Sequence, residues 1–544
     1  MRLHNHRGAI LDWQLHAMHR VIPETIHLDR SLINGLRRPD AFDHSVDDVE
    51  IMETHISWLI LAGDYVYKIK KPLVLDFLDF GSLEKRRFYC YEELRLNKPA
   101  APELYIDVIP VTVDDHQLQF GGTGEIVEYA LRMRRFDQSL RLDNQLELGA
   151  LTAPDMGELA VNIAKRHAQA ARVPELERDR IVSQTKKFIH DNFGPLRGFV
   201  PDTDLDELHE WTRKELERIE ELLWQRFDQG YFRDCHGDLH LGNLVRLPSG
   251  ITTFDCIEFN SDLRSIDVIC DIAFLVMDLV VRNAPDLAAR FLNRYLELSG
   301  DYAGVSLLDT YFVYRCLVRA KIASIRSQER DNEEQLREDR LEAERYVELA
   351  RRQSSKQPPL LIIMTGLSGS GKTHISGELL AALPAIRLRS DIERKRMFDL
   401  AETEQSNSDV GAGIYTAQAN EKIYSRLAGM AVDILRAGHN VIVDATFLLQ
   451  QERSQPIRAA RACGFAVVLL HVHAPVEILR QRIRQRAADD IDASEANLAV
   501  LEYQIGMQDP LTKEECRIAC QIENVGDVSI PRIVNHIRAS ARPG

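Results

Sequence analysis

The sequence has no CxxC cysteine pair and no long uninterrupted apolar run. Its eight cysteines are scattered through 544 residues, so we expect reduced, buried thiols rather than a zinc ribbon or a disulfide framework. Residues 1–20 lack the continuous apolar core of a signal peptide. Residues 266–281 are apolar but contain three aspartates, so they are not expected to cross a bilayer. A cytoplasmic protein with no membrane partner is the resulting prediction.

An excess of positive charge is also missing. The chain carries 68 Lys and Arg against 83 Asp and Glu, a net charge of −15, with a pI near 5.7. We therefore expect no nucleic-acid partner, although a local basic cleft stays compatible with this balance. Apolar residues make up 45% of the chain, which suffices for ordinary cores. The length predicts about two to four domains.

The most specific motif is the glycine-rich sequence GLSGSGKT at 366–373. It lies between a strand-like run, 360–365, and a helix-like run, 375–383, which is the context of a P-loop. Glycines let backbone N–H groups surround a phosphate, and the helix N-terminus adds partial positive charge. A glycine-rich turn that fits by chance is the alternative. We predict contacts to a nucleoside triphosphate from Gly366, Ser368, Gly369, Ser370, Gly371, Lys372 and Thr373, with Lys372 on the β- and γ-phosphates and Thr373 on Mg²⁺.

A hairpin and a helix are predicted early in the chain. Residues 53–61 and 65–70 alternate as strands do, with Gly63-Asp64 as the turn. Lys68 and Lys70 lie two residues apart and therefore share one face of their strand. They suit either a nucleotide site or a solvated sheet edge. The helix predicted over 82–97 contains Glu93, which matters for function only if a lysine faces it.

A second chemical motif is HGDLHLGN at 236–243, followed by Phe254-Asp255. Transfer of a phosphoryl group to an alcohol needs a carboxylate that orients the hydroxyl and accepts its proton, and oxygen ligands that hold Mg²⁺. Asp238, Asn243 and Asp255 supply that set. Zinc at His236, Asp238 and His240 is the alternative, but their spacing differs from that of HExxH.

HGDLHLGN followed by FDCIEF resembles the catalytic loop and metal-binding aspartate of aminoglycoside phosphotransferases and related small-molecule kinases. The resemblance covers about residues 45–345 and implies a bilobal, protein-kinase-like fold with a hinge near 128–133. No glycine-rich GxGxxG precedes the lysine, and Leu241 stands where the family often has proline. The roles implied are Asp238 as catalytic base, Asn243 and Asp255 as magnesium ligands, Lys68 (with Lys70 as substitute) and Glu93 at the nucleotide, and Asp271 as a brace of the catalytic loop.

The C-terminal part alternates apolar strands, at 386–388, 440–444 and 466–472, with helices. This pattern predicts a parallel sheet with helices on both faces and ligands at the carboxyl ends of its strands. Asp391 is the candidate general base, Arg394 a candidate for an acceptor phosphate or other anion, and Asp444 a candidate magnesium ligand through water.

Four arginines, at 480, 482, 484 and 486, lie on one predicted helix of this part. Arg482 and Arg486 share a face and are candidates to close over the triphosphate, whereas a solvated basic surface is the alternative for the set. GLSGSGKT, SDIER, VIVDATF and RQRIRQR together resemble small P-loop kinases of the gluconate-kinase, polynucleotide-kinase and zeta-toxin types, over about 358–540.

The whole chain thus resembles a bacterial fusion of an aminoglycoside-phosphotransferase-like domain with a P-loop kinase-like ATPase. We expect an N-terminal arm at 1–45, a kinase-like domain at 46–345, a linker at 346–358 and a P-loop domain at 359–544. The expected function is transfer of phosphate from ATP–Mg²⁺ to hydroxyl groups of small molecules at two sites. One alternative makes one half a nucleotide-binding switch or pseudokinase, and a weaker one is a toxin-like kinase acting on a nucleotide sugar.

Overall fold

The computed structural model describes residues 30–75, 78–114, 117–328, 330, 332–406, 408, 412–489 and 495–540, without the side chains of 30–32 and 486–489. Most of the arm predicted at 1–45 lies outside these residues. The chain forms two compact units, of which the first is Met1–Val281 with Thr310–Ser354, and the second is Arg282–Asp309 with Ser355–Gly544.

The first unit begins with a six-stranded antiparallel sheet in the order β1-β2-β3-β8-β6-β7. The predicted strand over 53–61 is two strands, because a turn separates β1 from β2. The predicted hairpin at Gly63 and the helix capped by Ser82 are confirmed. The elements are α1 Arg30–Gly35, β1 Val49–Glu53, β2 Ser57–Ala62, β3 Tyr65–Lys70, β4 Val74–Leu75, β5 Leu78–Asp79, α2 Leu83–Asn97, β6 Tyr105–Asp114, β7 Gln117–Phe120 and β8 Glu125–Arg134.

A mainly helical region follows the sheet in the chain, and its helix α8 and the start of α9 belong to the second unit. Its apolar segment 266–281 forms the end of β12 and the buried helix α7, and its three aspartates, Asp267, Asp271 and Asp278, accept backbone hydrogen bonds. The elements are α3 Leu142–Glu147, α4 Ala153–Gln169, α5 Arg178–His190, α6 Asp202–Asp228, β9 Phe232–Asp234, β10 Leu244–Leu247, β11 Gly250–Thr253, β12 Ser265–Asp267, α7 Val268–Val281, α8 Pro285–Ser299, α9 Val305–Ser327 and α10 Glu333–Ser354. Among the described helices, none has both the length and the apolar composition needed to cross a membrane.

The second unit contains a five-stranded parallel sheet in the order β14-β15-β13-β16-β17. The predicted parallel sheet flanked by helices is confirmed. Strand β13 is fully buried at its centre, as expected of a strand covered on both faces. The elements after the linker are β13 Leu360–Thr365, α11 Lys372–Ala382, β14 Ile386–Arg389, α12 Ser390–Met397, α13 Ala417–Arg436, β15 Val441–Asp444, α14 Gln450–Ala462, β16 Ala466–His473, α15 Val476–Asp489, α16 Leu498–Met507, α17 Lys513–Arg517, β17 Ala519–Glu523 and α18 Ile530–Ser540.

Helix α8 covers the edge strand β14 within this unit. The Asn293 amide donates to the carbonyl of Ala385 at 2.9 Å and accepts from the N–H of Arg387 at 2.6 Å. A side-chain amide thus takes the place of a neighbouring strand's peptide group. Glu297, one turn later, accepts from the Arg387 guanidinium at 2.7 Å. Helix α8 thus covers the sheet edge that β14 would otherwise expose, although this helix ends 61 residues before the first strand of the sheet.

We predict that Asn293→Ala destabilises the second unit by about 1–3 kcal/mol, because the N–H of Arg387 in β14 and the carbonyl of Ala385, just before β14, lose their partner. Hydrogen exchange of the β14 amides, followed by mass spectrometry, measures the effect. Gln451→Ala, at an exposed position of α14, is the control and should leave exchange in β14 unchanged. Equal protection of β14 in the Asn293 variant and the wild type would show that the amide does not hold the edge.

Candidate active sites

The catalytic loop of the first unit is held by two aspartates of α7. The carboxylate of Asp271 accepts from the N–H groups of His236 at 3.1 Å and Gly237 at 2.9 Å, and Asp278 accepts from the N–H of Leu241 at 2.9 Å. Burial raises the pKa of Asp271, but the hydrogen bond from His167 and nearby positive charges outweigh it and bring the pKa to about 2. The brace implied by the resemblance is confirmed.

His236 is buried, and its hydrogen bonds fit one neutral tautomer of the ring. Its Nδ1 accepts from the N–H of Asp238 at 3.2 Å, which leaves Nε2 to donate to the carbonyl of Phe254 at 2.9 Å. Burial, followed by the charge of Arg166, lowers its pKa to about 4. Both ring nitrogens are therefore hydrogen-bonded to backbone groups. This arrangement does not favour the zinc alternative for His236, Asp238 and His240.

The structure brings Asp238 and Asn243 together. The Asn243 amide donates to Asp238 Oδ2 at 2.8 Å and to the Asp238 carbonyl at 3.0 Å. His240 Nε2 lies 3.4 Å from the same carboxylate. Burial raises the pKa of Asp238, but the neighbouring histidines and Arg319 lower it by more, so the pKa lies below its usual value. Asp238 is thus a carboxylate able to accept a proton.

Asp255 meets the predicted lysine and glutamate. Lys68 Nζ donates to Asp255 Oδ1 and to Glu93 Oε1, at 2.7 Å in both cases. Asp255 has a left-handed backbone, φ 59°, and its N–H donates to the hydroxyl of Tyr105 at 2.9 Å. Burial raises the pKa of Asp255. Burial also acts to lower the pKa of Lys68, but the negative charges of Asp255 and Glu93 outweigh it, so the pKa of Lys68 is raised. The two short contacts favour the charged pair.

The solvated-edge alternative for the two lysines is wrong, because both are buried. Lys70 Nζ donates to Glu93 Oε2 at 2.7 Å and to Glu258 Oε1. Sequence reasoning missed Glu258, although it follows Asp255 by three residues and belongs to the same motif. Backbone bonds join this cluster to the catalytic loop, since the N–H of Phe254 donates to the carbonyl of Asn243 at 3.0 Å.

The P-loop of the second unit forms a cradle that only glycine permits. Gly366, Gly369 and Gly371 have φ values of 143°, 80° and 93°, and a Cβ on Gly366 would lie 2.1 Å from the carbonyl oxygen of Val472. Lys372 Nζ folds over the loop and donates to the carbonyls of Gly366 and Leu367 at 2.8 and 2.9 Å. The buried hydroxyl of Ser370 has no hydrogen-bond partner among the described residues. These features fit a bound phosphate group.

The predicted magnesium residues lie at the carboxyl end of the sheet. Asp444 ends β15, and its Oδ2 accepts from the hydroxyl of Ser376 at 2.9 Å. Ser376 lies one turn after Thr373, and its hydroxyl also donates to the Thr373 carbonyl at 3.0 Å. Thr373 is exposed, and both Thr373 and Asp444 line one cavity of about 670 Å³. Their oxygens suit a hard cation such as Mg²⁺.

Asp391 and Arg394 line the same cavity. The sequence predicted that Asp391 ends a strand, and this is wrong. Strand β14 ends at Arg389, and Asp391 lies in the first turn of α12. Arg394 is buried, donates to the carbonyl of Ile414 at 2.8 Å, and lies 5.0 Å from the ring centre of Tyr415. Its Nε has no partner among the described residues. A buried guanidinium that lines a cavity and keeps one unused donor is suited to an anionic group.

The arginines of helix α15 have different environments. Arg482 donates to the carbonyls of Gly369 at 3.4 Å and Asn524 at 2.9 Å, beside the P-loop. Arg480 instead pairs with Glu502 at 2.8 Å, and Arg484 is exposed. The side chain of Arg486 lies outside the described ones. Only for Arg482, among the arginines described on this helix, does the structure give a contact with the P-loop.

Several residues around this cavity were not anticipated. The Asn524 amide donates to the carbonyl of Ser370 at 2.8 Å, and Gln504 accepts from the N–H of Ser368 at 2.9 Å. Tyr415 and Tyr424 line the cavity away from the loop. Single amides and tyrosines in ordinary helices and loops carry no sequence signal of a site.

Comparison with known proteins defines the class. Residues 128–308 match the phosphotransferase enzyme family, and residues 361–511 match an AAA domain. The chain combines a kinase-like phosphotransferase region with a P-loop region and is an ATP-dependent kinase. The resemblances drawn from the sequence are confirmed at this level.

Relatives span both halves. Uncharacterized proteins of Mycobacterium tuberculosis and Mycobacterium bovis are each 29% identical over 465 residues, which is 84% of this chain and 91% of the relative. Among solved structures, a choline kinase from Cryptosporidium parvum aligns with a TM-score of 0.36 and 12% identity, over 59% of this chain and 96% of its own. A gluconokinase from Sinorhizobium meliloti aligns with a TM-score of 0.24 and 15% identity, over 34% and 93%.

We predict that acid weakens the first unit through His236. Its folded pKa of about 4 lies below the ordinary value of about 6.5. The unfolded chain therefore takes up the proton first as the pH falls. The contribution of His236 to the free energy of unfolding is therefore complete above about pH 6.5. It is lost as the pH falls from there to about 4, with a slope of at most about 1.4 kcal/mol per pH unit.

The measurement is thermal unfolding of the full chain between pH 4.5 and 7.5. His236→Gln should be less stable at pH 7.5, but its stability should decline less steeply toward pH 4.5. The control, His473→Gln, replaces an exposed histidine and should keep the wild-type slope. An undiminished slope in the His236 variant would contradict the assignment.

Proposed function

We propose that the protein is a phosphotransferase with two ATP–Mg²⁺ sites, each of which transfers the γ-phosphate to a hydroxyl group of a small-molecule acceptor. One observation carries the proposal: in each unit a lysine, oxygen ligands suited to Mg²⁺ and a further carboxylate belong to one connected cluster or cavity. In the first unit these are Lys68, Asp255 and Asp238, of which Asp238 is joined to the other two through Asn243 and the backbone bond between Asn243 and Phe254. In the second they are Lys372, Asp444 and Asp391.

At the first site Asp238 is the proposed general base. Its carboxylate orients the acceptor hydroxyl and accepts its proton while the hydroxyl oxygen bonds to the γ-phosphorus and the bond to the ADP oxygen breaks. Asn243 and Asp255 would hold Mg²⁺, and Lys68, oriented by Glu93, would donate to the phosphates. The metal, when bound, supplies neutralisation of the phosphate charge.

At the second site the P-loop N–H groups and Lys372 would hold the triphosphate, with Arg482 beside the loop. Thr373 and Asp444 would hold Mg²⁺, the latter through water. Asp391 would accept the proton of the acceptor hydroxyl, and Arg394 would bind an anionic group on the acceptor. The volume of the cavity, about 670 Å³, falls within the range of small-molecule sites.

A second candidate function is favoured by one contact. Lys68 and Asp255 are bonded directly at 2.7 Å and both are buried, so the phosphate-binding lysine and the metal ligand neutralise each other. A first unit that keeps this pair would be a nucleotide-responsive switch or pseudokinase, and the second unit would perform the chemistry. The absence of a GxGxxG sequence before the lysine agrees with this alternative.

The two functions are separated by variants of each site. We expect Asp238→Asn to lower ATP turnover with first-site acceptors by about 100-fold or more, since a general base contributes about 10²–10⁴-fold. Lys372→Ala should abolish turnover with second-site acceptors, and the double variant should have neither activity. The measurement is ADP release across a panel of sugars, amino alcohols and hydroxy acids.

Glu344→Gln, on α10, is the control and should behave as the wild type. If Asp238→Asn turns over every acceptor at the wild-type rate, the first site is not catalytic and the switch is favoured. If Lys372→Ala keeps every activity, the assignment of the P-loop as a catalytic site is wrong.

Arg394 gives a separate prediction about the acceptor. Because Arg394 lines the cavity and is the proposed contact to an anionic group, Arg394→Met should raise KM for an anionic acceptor of the second site by about 10-fold or more, the loss expected for a hydrogen bond to a charged group. KM for ATP should stay within about twofold of the wild type, and Arg484→Met, at an exposed position of the same unit, should change neither constant. A rise in KM for ATP alone would place Arg394 at the nucleotide instead.

A further inference from the structure

Five buried side chains of alternating charge form a continuous row in the first unit. From one end to the other they are Glu258, Lys70, Glu93, Lys68 and Asp255. Each of the two Glu93 oxygens accepts from a different lysine at 2.7 Å. Each lysine also donates to one further carboxylate. The proposed first site uses Lys68, Glu93 and Asp255, but it assigns nothing to Lys70 or Glu258.

The row follows from the geometry of one strand and one helix. Lys68 and Lys70 project from the same face of β3, two residues apart. Glu93 on α2 lies against both, with no more than 4% of any of the three residues exposed. Both ammonium groups hold this buried carboxylate, and Glu93 keeps one charged partner, Lys68, when Lys70 is removed together with Glu258.

The two ends of the row differ in their surroundings. Lys70 lies 5.0 Å from the ring centre of Phe80, within an apolar cluster that includes Ile257 and Phe259 on either side of Glu258. Arg264 donates to the carbonyl of Ile257 at 3.2 Å and fixes the backbone there. The other end is Asp255, which the proposed function assigns to Mg²⁺. One end is therefore enclosed by apolar side chains, whereas the other ends at a ligand site.

We propose that Lys70 and Glu258 are positioning residues: they form a permanent clamp on Glu93, so that Lys68 can exchange Asp255 for the nucleotide phosphates without losing Glu93. This inference rests on the proposed function of the first site. A divalent cation at Asp255 repels the ammonium of Lys68, and the phosphates attract it. Lys68 then remains oriented only if Glu93 stays in place, and Lys70 keeps it there.

The clamp explains the use of two lysines where a single nucleotide-binding lysine needs one glutamate. If Lys68 alone held Glu93, the second Glu93 oxygen would have no lysine donor, whichever further partner Lys68 had. With Lys70 bonded to that oxygen, the charge of Glu93 is shared by a fixed and an exchanging cation. The energetic change on nucleotide binding is then confined to the contact between Lys68 and Asp255.

The test removes the clamp as a pair. In full-length protein carrying Lys372→Ala, which disables the second site, Lys70→Met/Glu258→Leu replaces a buried ion pair by apolar side chains of similar size, a change that is often neutral for stability. Binding of Mg²⁺ with adenylyl imidodiphosphate is measured by calorimetry, and unfolding by heat. We expect an unfolding temperature close to that of the parent and an affinity at least 10-fold lower.

A buried ion pair elsewhere in the unit provides the control. Arg226 and Asp267 are bonded at 2.6 Å, fully buried, and belong to α6 and β12. Arg226→Met/Asp267→Asn should change the unfolding temperature and leave the nucleotide affinity unchanged. A clamp with a merely structural role would give the same result as this control, with affinity kept.

A milder variant covers the case in which the apolar pair does not fold. Glu258→Gln keeps an oxygen acceptor for Lys70 but removes the charge, and we expect it to lower the affinity about threefold or more. Parental affinity in a folded clamp variant overturns the clamp and leaves the first site standing. Failure of the parent itself to bind Mg²⁺ with the analogue overturns the first site and the clamp together, and the parent titration alone identifies that result.

Discussion

Burial of charge is the constraint on which the first unit depends. The ammonium groups of Lys68 and Lys70 lie inside the protein, and neither would be stable there without carboxylates in direct contact. Those carboxylates come from α2 and from the segment that follows β11. The ion pairs therefore fix how the sheet, the helix and the loop after β11 are arranged, since a shift of any one of them would leave a buried charge without its partner.

The same principle governs the catalytic loop. A loop this deeply buried must have its backbone N–H groups satisfied, and Asp271 and Asp278 of α7 supply the acceptors. An apolar helix carrying aspartates on its loop-facing side is costly unless each carboxylate accepts hydrogen bonds, as both of these do. The hydrogen bonds also restrict His236 to one tautomer, so that the conformation of Asp238 is determined by groups that never meet a substrate.

The elements with local signals could be predicted from the sequence. The P-loop, the helix capped by Ser82 and the parallel sheet of the second unit depend on neighbouring residues or on periodicity, and all three are present. The clamp residue Glu258 and the edge-covering Asn293 could not be predicted. Glu258 lies 188 residues from its partner Lys70, and Asn293 lies 92 residues from Ala385, the nearer of its two partners on the sheet. For the same reason Lys68 and Lys70 suited a solvated edge equally well in the sequence, and only the fold shows them to be buried.

The two candidate sites differ in what nucleotide binding must change. At the second site Lys372 donates to two carbonyls of the P-loop, and the cradle opens into a cavity of about 670 Å³. At the first site Lys68 and the proposed metal ligand Asp255 are bonded to each other, with at most 4% of either residue exposed. Binding there must first separate a buried ion pair, and the metal and the phosphates together must replace both of its charges. A nucleotide without its metal would satisfy Lys68 and leave Asp255 unpaired, so the first site should depend on the metal more strongly than the second.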